Sequence, residues 1–198
     1  MLITMAGEGK RFRDEGILTP KPMIEVRSRS LFSWAMESLR NFYDQPFFFL
    51  TRQSTCPPSF IEEQVRTLGI ETYSIRELAT HTKGQAETAF LAQDMIRHAT
   101  DPILVYNIDT FVEPEYLRPE DIHGDGWIPV FSAEGTHWSF VQFDESLQVT
   151  AIAEKKRISE YATIGLYYFA SFELFESLYK RHSFEQGQEQ YIAPLYAS

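Results

Sequence analysis

Strand-length apolar runs alternate with helical stretches through the first half of this chain. That alternation restricts its fold more than any other feature. Residues 2–6 (LITMA), 47–50 (FFFL), 70–75 and 103–106 (ILVY) are short and apolar. The run Phe47-Phe48-Phe49-Leu50 is apolar without interruption, as expected of a strand buried on both faces of a parallel sheet. Between the runs lie helical signals. Ser30 can cap a helix with Leu31, Ala35, Leu39 and Phe42 on one face. Ser59 and Glu62 have capping-box spacing and Gly69 suits a C-terminal stop, predicting a helix over 60–68. Residues 86–98 read as a further helix, and Met23-Ile24-Glu25-Val26 as a short strand. Strand–helix alternation of this kind builds a Rossmann-like, doubly wound, mostly parallel α/β sheet with helices on both faces.

The second half has a different pattern. Residues 127–132, 138–143, 147–153 and 161–169 are four strand-like runs with little helix between them, and Asp144-Glu145-Ser146 is a turn. Ser171 caps a helix to about Tyr179, and a short helical stretch lies near Ile192. We read this half as a mixed strand extension of the same sheet that covers a crevice. At 198 residues the chain is expected to form one domain, with halves at 1–110 and 111–198. Hydrophobic residues make up 43% and aromatic residues 15%, enough for a packed core.

Charge and cysteine content remove several function classes. With 28 acidic against 18 basic residues the net charge is −10, which argues against a nucleic-acid surface and against anionic membrane. It also makes any local gathering of cations more informative. Cys56 is the sole cysteine, so neither a disulfide framework nor a cysteine metal site is expected, and it reads as a small buried or loop hydrophobe. No basic patch precedes an apolar run at the N-terminus, and no run reaches membrane-spanning length, so a cytoplasmic protein is expected. The five histidines show no ligand spacing.

The first strand runs into Met5-Ala6-Gly7-Glu8-Gly9-Lys10-Arg11-Phe12. Two glycines leave a loop whose amides can turn toward a phosphate chain. Arg11 adds a forked cation suited to phosphate oxygens. Lys21 stands between Pro20 and Pro22, on a stiff backbone biased toward extended conformations. Taken alone, Gly-x-Gly equally describes a glycine turn after a strand. A dinucleotide fingerprint is excluded because Phe12 stands where a third small residue is needed, and a P-loop because Gly-Lys-Ser/Thr is absent. In open α/β sheets ligands gather at the carboxyl ends of strands, which selects Asp109, at the end of the run beginning at Ile103. A carboxylate there either holds a hard cation such as Mg²⁺ with phosphate oxygens and water, or caps the turn before Phe111. The loop Thr82-Lys83-Gly84-Gln85 opens a helix, and Glu154-Lys155-Lys156-Arg157 follows a strand. By composition these are a glycine loop and a solvated charged bend.

The whole string Gly7-x-Gly9-x-Arg11-Phe12, then Gly16, then Pro20-Lys21-Pro22-Met23-Ile24 resembles the signature loop of the sugar nucleotidyltransferases, the nucleoside-diphosphate-sugar pyrophosphorylases. The likeness runs from Leu2 to about Tyr196. It implies a GT-A-like nucleotidyltransferase fold and transfer of a nucleoside monophosphate from a triphosphate to a phosphorylated small molecule, with release of pyrophosphate. It implies that residues 6–11 (Ala6, Gly7, Glu8, Gly9, Lys10, Arg11) with Lys21 wrap the triphosphate, and that Gly84 and Gln85 meet the base. It implies that Asp109 holds Mg²⁺, and that Asn107, Glu154, Lys155, Gly165 and Glu189 form the acceptor side. Arg11, Lys21, Asp109 and Lys155 would carry the chemistry, which needs no acid–base side chain because the acceptor phosphate is already an anion. The acceptor would be a sugar 1-phosphate or a small non-sugar phosphate, phosphocholine-like or amino-acid-derived. The aromatics Trp127, Trp138, Tyr161 and Tyr167 suit sugar stacking, a cationic group or a core alike. The short loop at Gly84 and Gln85 favours a pyrimidine triphosphate (CTP, UTP or dTTP). Family members commonly have a second metal-binding aspartate beyond the length of this chain. Its place is expected to be taken by another subunit of a homo-oligomer, by Glu154 or Glu189, or by nothing in a compact variant. A non-catalytic nucleotide-binding regulator is the rival class.

Overall fold

A computed structural model describes residues 1–197, apart from the side chains of Lys10 and Arg11. In chain order its strands and helices are β1 (Leu2–Thr4), α1 (Lys10–Asp14), β2 (Glu25–Val26), β3 (Arg29–Ser30), α2 (Leu31–Ser38), β4 (Phe47–Thr51), α3 (Pro58–Leu68), β5 (Tyr73–Glu77), α4 (Gln85–Phe90), β6 (Ile103–Tyr106), β7 (Gly126–Trp127), β8 (Val130–Ser132), β9 (Ser139–Phe143), β10 (Val149–Glu154), β11 (Tyr161–Thr163), β12 (Leu166–Phe169) and α5 (Phe172–Arg181). Short 3₁₀ turns lie at Lys21–Met23 and Ala193–Ala197.

The main sheet has the order β5-β4-β1-β6-β12-β7. Its first four strands are parallel, with Leu2 opposite Phe48 on one side and Val105 on the other. The order reverses direction between β1 and β6, which opens the crevice at their carboxyl ends. Both faces are covered, as the uninterrupted apolar runs require. Ile3, Phe47 and Phe49 pack with Phe32 and Met36 of α2 and Ile61 and Val65 of α3. Leu2, Leu50 and Val105 face the other way, onto Ala86 and Ala89 of α4 and Phe172 and Phe175 of α5. The alternation of neighbouring residues between faces is the strand's period of two. Among the described residues no helix is long and apolar enough to cross a membrane.

Both helix caps built on a serine followed by an apolar face are present. Ser30 Oγ accepts from Ser33 N at 3.1 Å, and Ser171 Oγ accepts from Leu174 N at 3.0 Å. The expected cap at Ser59 is not. The helix begins at Pro58, Pro57 is its N-cap, and no side chain bonds there. A proline at the first helical position loses nothing, because its missing N–H would have been unpaired. Gly69 stops this helix in the left-handed conformation (φ +77°), and Ile70 N reaches back to Val65 O at 2.9 Å. That closure buries Ile70 against the helix end, so the strand expected from residue 70 begins instead at Tyr73. The helix expected over 86–98 ends at Phe90, followed by a 3₁₀ turn at Gln93–Met95.

The second half corrects the expected single mixed sheet. Residues 127–132 divide at Pro129 and residues 161–169 divide at Gly165, which has φ +83°. Proline donates no ladder hydrogen bond, and glycine alone adopts that backbone turn without strain. Strands β7 and β12 join the main sheet antiparallel, while β8, β9, β10 and β11 form a separate four-stranded antiparallel sheet ordered β10-β9-β11-β8.

Candidate active site

The loop after β1 is held from beneath. Met5 N donates to Leu50 O at 2.9 Å, continuing the β1–β4 pairing for one residue, and Ala6 is buried. Arg52, one residue past β4, donates from Nε to Ala6 O at 3.0 Å. Gly9 has φ +60°, and its carbonyl accepts from Phe12 N and Arg13 N, which starts α1. A helix of five residues follows the loop directly. A Cβ on residue 9 would lie 3.3 Å from the Cβ of Lys21, so the glycine lets the lysine segment close over the loop. The expected extended backbone at Lys21 is replaced by the 3₁₀ turn, with Pro20 as its N-cap (φ −52°, ψ 135°). Gly7, Glu8, Gly9, Arg13, Lys21 and Thr55 line a recess of about 80 Å³ here. Arg11 and Lys10 were both expected in it, and their side chains lie outside the described residues.

Lys21 forms an ion pair with Asp109, 88 residues away in sequence. The aspartate lies three residues past β6, in a segment pinned on both sides. Tyr106 donates its hydroxyl proton to Thr110 O at 2.8 Å, and Val112 N donates to Ser38 Oγ at 2.9 Å. Burial pushes the Tyr106 hydroxyl pKa well above its ordinary value, so it stays a donor. The Asp109 side chain is 43% exposed, at the crevice mouth. Among the described residues no three metal-ligating side chains come together. Asp109 alone fits Mg²⁺ in one way, as a single carboxylate that leaves the other positions to phosphate oxygens and water.

The loop before α4 is tied to the far end of the chain. Glu87 accepts from Lys83 N at 2.5 Å, reaching back to the residue before the Gly84 N-cap. Gly84 has φ +152°, and a Cβ there would sit 2.6 Å from both N and O of Gln190. Ala86 N donates to Gln190 O at 2.9 Å and Gln190 N to Lys83 O at 2.8 Å. The close approach that Gly84 permits is thus taken by the chain's own backbone. Beside it, Gln85 Nε2 is buried with no hydrogen-bond partner. An orphaned amide of this kind is available to a carbonyl on a ligand.

Lys155 follows β10 in the left-handed conformation (φ +53°), held by Lys155 N donating to Trp138 O at 2.9 Å. A non-glycine residue in that region is strained and is found mainly where function or context imposes it. Its ammonium lies 4.5 Å from the centre of the Tyr191 ring and donates to the Tyr191 hydroxyl, which donates to Glu189 Oε2 at 2.5 Å. Glu154 is bonded by the Ser139 hydroxyl and stands 3.9 Å from Lys155. Arg157 turns away. It donates to Ala133 O at 2.8 Å and lies over Phe140, closing a loop of the second sheet. Gly165 and Asn107 meet directly: a Cβ on residue 165 would strike the Asn107 amide, with Cγ 2.6 Å away, and Asn107 Oδ1 is buried without a partner.

The four aromatics of this half are absorbed in packing. Tyr167 is buried and hydrogen-bonded to Thr163, and burial raises its pKa to about 12. Trp127 packs on the main core, Trp138 on Phe131 and Tyr161 on Phe143. Sequence reasoning missed Arg52 and Gln190. An arginine placed directly at the carboxyl end of a buried strand was a usable signal for the first. The second acts through its main chain, which leaves no mark in the sequence.

A family model described as "Nucleotidyl transferase" matches residues 1–192. The chain belongs to the nucleotidyl transferase family. Its fold agrees with that of solved relatives. A nucleoside-diphosphate-sugar pyrophosphorylase from Vibrio cholerae RC9 is 34% identical over 99% of this chain and 86% of its own, with a TM-score of 0.87. The inositol-1-phosphate CTP transferase of T. maritima, 17% identical, superposes over 98% of this chain and 78% of its own with a TM-score of 0.79. No curated protein sequence matches.

Proposed function

We propose that this nucleotidyl transferase moves a nucleoside monophosphate from a pyrimidine nucleoside triphosphate to a small phosphorylated acceptor, a sugar 1-phosphate by preference, and releases pyrophosphate. The observation that carries this reading is the Lys21–Asp109 pair at the mouth of the glycine-loop recess. It supports the reading because a cation suited to a triphosphate and a carboxylate suited to a metal stand together there. The halves 1–110 and 111–198 then serve as nucleotide side and acceptor side of one domain. A short base loop with the orphaned Gln85 amide suits the carbonyl of a pyrimidine.

In the reaction an acceptor phosphate oxygen bonds to the α-phosphorus as the bond from that phosphorus to the pyrophosphate oxygen breaks. The leaving pyrophosphate keeps the electron pair, and no proton moves. Catalysis of this type is positioning and electrostatics. Lys21 would hold the leaving side, with Arg11 from the same loop. Lys155, set on its Tyr191 platform, would fix the attacking phosphate. Glu154 and Glu189 would accept hydrogen bonds from acceptor hydroxyls, and Asn107 would face the acceptor beside Gly165. Mg²⁺, held by Asp109, would neutralise charge on the phosphate oxygens. The cytidylyltransferase reading for a phosphocholine-like acceptor draws no support from the aromatics, which are packed rather than arranged as a cage.

The test is a pyrophosphate-release screen with Mg²⁺, crossing the common nucleoside triphosphates with sugar 1-phosphates, inositol 1-phosphate and phosphocholine. Release confined to one pyrimidine triphosphate with one sugar 1-phosphate is expected. Silence with every pair while nucleotide still binds would replace the transferase by the non-catalytic regulator.

A further inference from the structure

Three basic side chains from three separate segments converge on one carboxylate in the glycine loop. Glu8 Oε2 lies 2.8 Å from Arg13 Nη2, on α1. Glu8 Oε1 lies 3.8 Å from Arg52 Nη2, after β4, and 3.9 Å from His81 Nδ1, in the loop before α4. Arg52 is the anchored member. Its side chain is 14% exposed, and its Nε is committed to Ala6 O at 3.0 Å. The guanidinium plane is therefore fixed against the loop backbone, and its terminal nitrogen faces the carboxylate. Glu8 itself is about half-exposed and lines the recess with Gly7, Gly9 and Lys21.

A carboxylate is an unexpected side chain in a loop that must receive a polyanion. Its charge repels the ligand, and it satisfies the same forked donors that phosphate oxygens use. A chain of net charge −10 has few cations to spare, yet two arginines stand at this one point with His81 beside them. We propose that Glu8 is a built-in counter-ion of the phosphate recess, and that Arg13 and Arg52 are nucleotide-phosphate ligands that exchange its carboxylate for phosphate when a triphosphate enters. The proposal rests on the reading of the recess as the triphosphate site. The Arg52 contact, at 3.8 Å, is longer than a hydrogen bond and is the looser of the two to be exchanged. The carboxylate holds the two arginines together until a phosphate replaces it.

The experiment is calorimetric binding of inorganic tripolyphosphate, without metal and at fixed ionic strength, to the wild type and to Glu8→Gln, Arg52→Met, Arg13→Gln and Glu8→Gln/Arg52→Met. Glu8→Gln is expected to bind about fivefold tighter, because the competing charge is gone and the donors remain. Arg52→Met and Arg13→Gln are each expected to bind at least about tenfold weaker, as for loss of a forked donor to phosphate. The double variant is expected to keep only part of the gain of Glu8→Gln, since one of the two freed arginines is gone while Arg13 remains. Arg52 also braces Ala6, so Arg13→Gln, on the exposed side of α1, keeps the test decisive if Arg52→Met unfolds. Glu8→Gln binding no tighter than the wild type, or both arginine variants binding normally, overturns the proposal. These readouts need no turnover. Tripolyphosphate shifts as expected with a silent pyrophosphate-release screen would count against the transferase reading alone.

Discussion

The main chain of Gln190 occupies the place where a side chain on residue 84 would begin, with its N and O each 2.6 Å from that point. Residues 106 positions apart are thereby locked together, and the loop before α4 takes its shape from the segment that carries Glu189 and Tyr191. Since Tyr191 holds the Lys155 ammonium, the same segment joins the loop before α4 to Lys155.

Gly84→Ala should therefore be a stability and binding variant at once. The new methyl group meets backbone, which cannot rotate away, so the cost is that of overpacking, about 1–3 kcal/mol. Gly7→Ala is the control: nothing lies within 4 Å of its Cβ position. Thermal melts should show a fall for Gly84→Ala and little change for Gly7→Ala. Equal melts would mean that the Gln190 contact is not tight in solution.

Lys21→Ala should lower turnover by roughly 10²-fold or more, by analogy with the loss of one preorganised donor. Its effect on stability should be small, within about 1 kcal/mol, because the Lys21–Asp109 pair is partly solvated, with side chains 22% and 43% exposed. Steady-state pyrophosphate release read beside a denaturant midpoint separates the two. A near-normal rate would remove Lys21 from the chemistry.

Chelation should abolish turnover without unfolding the protein. Asp109 is the proposed metal ligand, and among the described residues no three-ligand cluster exists that folding could depend on. Excess EDTA should silence pyrophosphate release, leave the melting temperature where it was, and be reversed by Mg²⁺. A large drop in melting temperature would point to a structural metal instead.

Alkaline pH should destabilise the fold between about pH 10 and 12. Burial raises the Tyr167 pKa from an ordinary 10.0 to about 12, and Tyr43 rises to about 12 by burial and by Glu37. Below pH 10 these hydroxyls are protonated in both states and the stability they carry is fully present. Above it the unfolded chain loses protons that the folded chain keeps, so stability falls as pH rises toward the folded pKa. Tyr167 alone accounts for about 2 kcal/mol of that fall by pH 12. Urea midpoints from pH 9 to 11.5 should decline, less steeply in Tyr167→Phe.

Two serines with similar local sequence should behave differently. Ser171→Ala removes a cap that accepts from Leu174 N at 3.0 Å and should cost about 1 kcal/mol. Ser59→Ala removes no cap, because Pro57 holds that position without a side-chain bond, and should fall within about 0.5 kcal/mol of the wild type. Denaturant unfolding of the two variants decides it.

That pair also shows where local reading ends. Ser59-x-x-Glu62 carries the spacing of a capping box, but Pro58 starts the helix two residues earlier than that cap predicts. Ile70 has the composition of a strand residue, yet the left-handed turn at Gly69 buries it against the helix end. In the second half each strand-like run was legible, and its sheet was not. Alternation along a strand states which face is buried, and says nothing about which neighbour accepts its hydrogen bonds.

The amino-acid sequence by itself determined the parallel, doubly wound half, because strands β1, β4 and β6 are too apolar to stand anywhere except between two layers of helix. It also determined the glycine loop, the lysine between two prolines and the carboxylate after Tyr106, since each is a local arrangement of residue types. Only the tertiary structure decided that Lys21 meets Asp109, that Lys155 rests on Tyr191, that Arg13 and Arg52 share Glu8, and that Gly84 is needed for Gln190. Those are meetings between distant segments, brought about by burying both faces of one sheet, and no local pattern of residues encodes them.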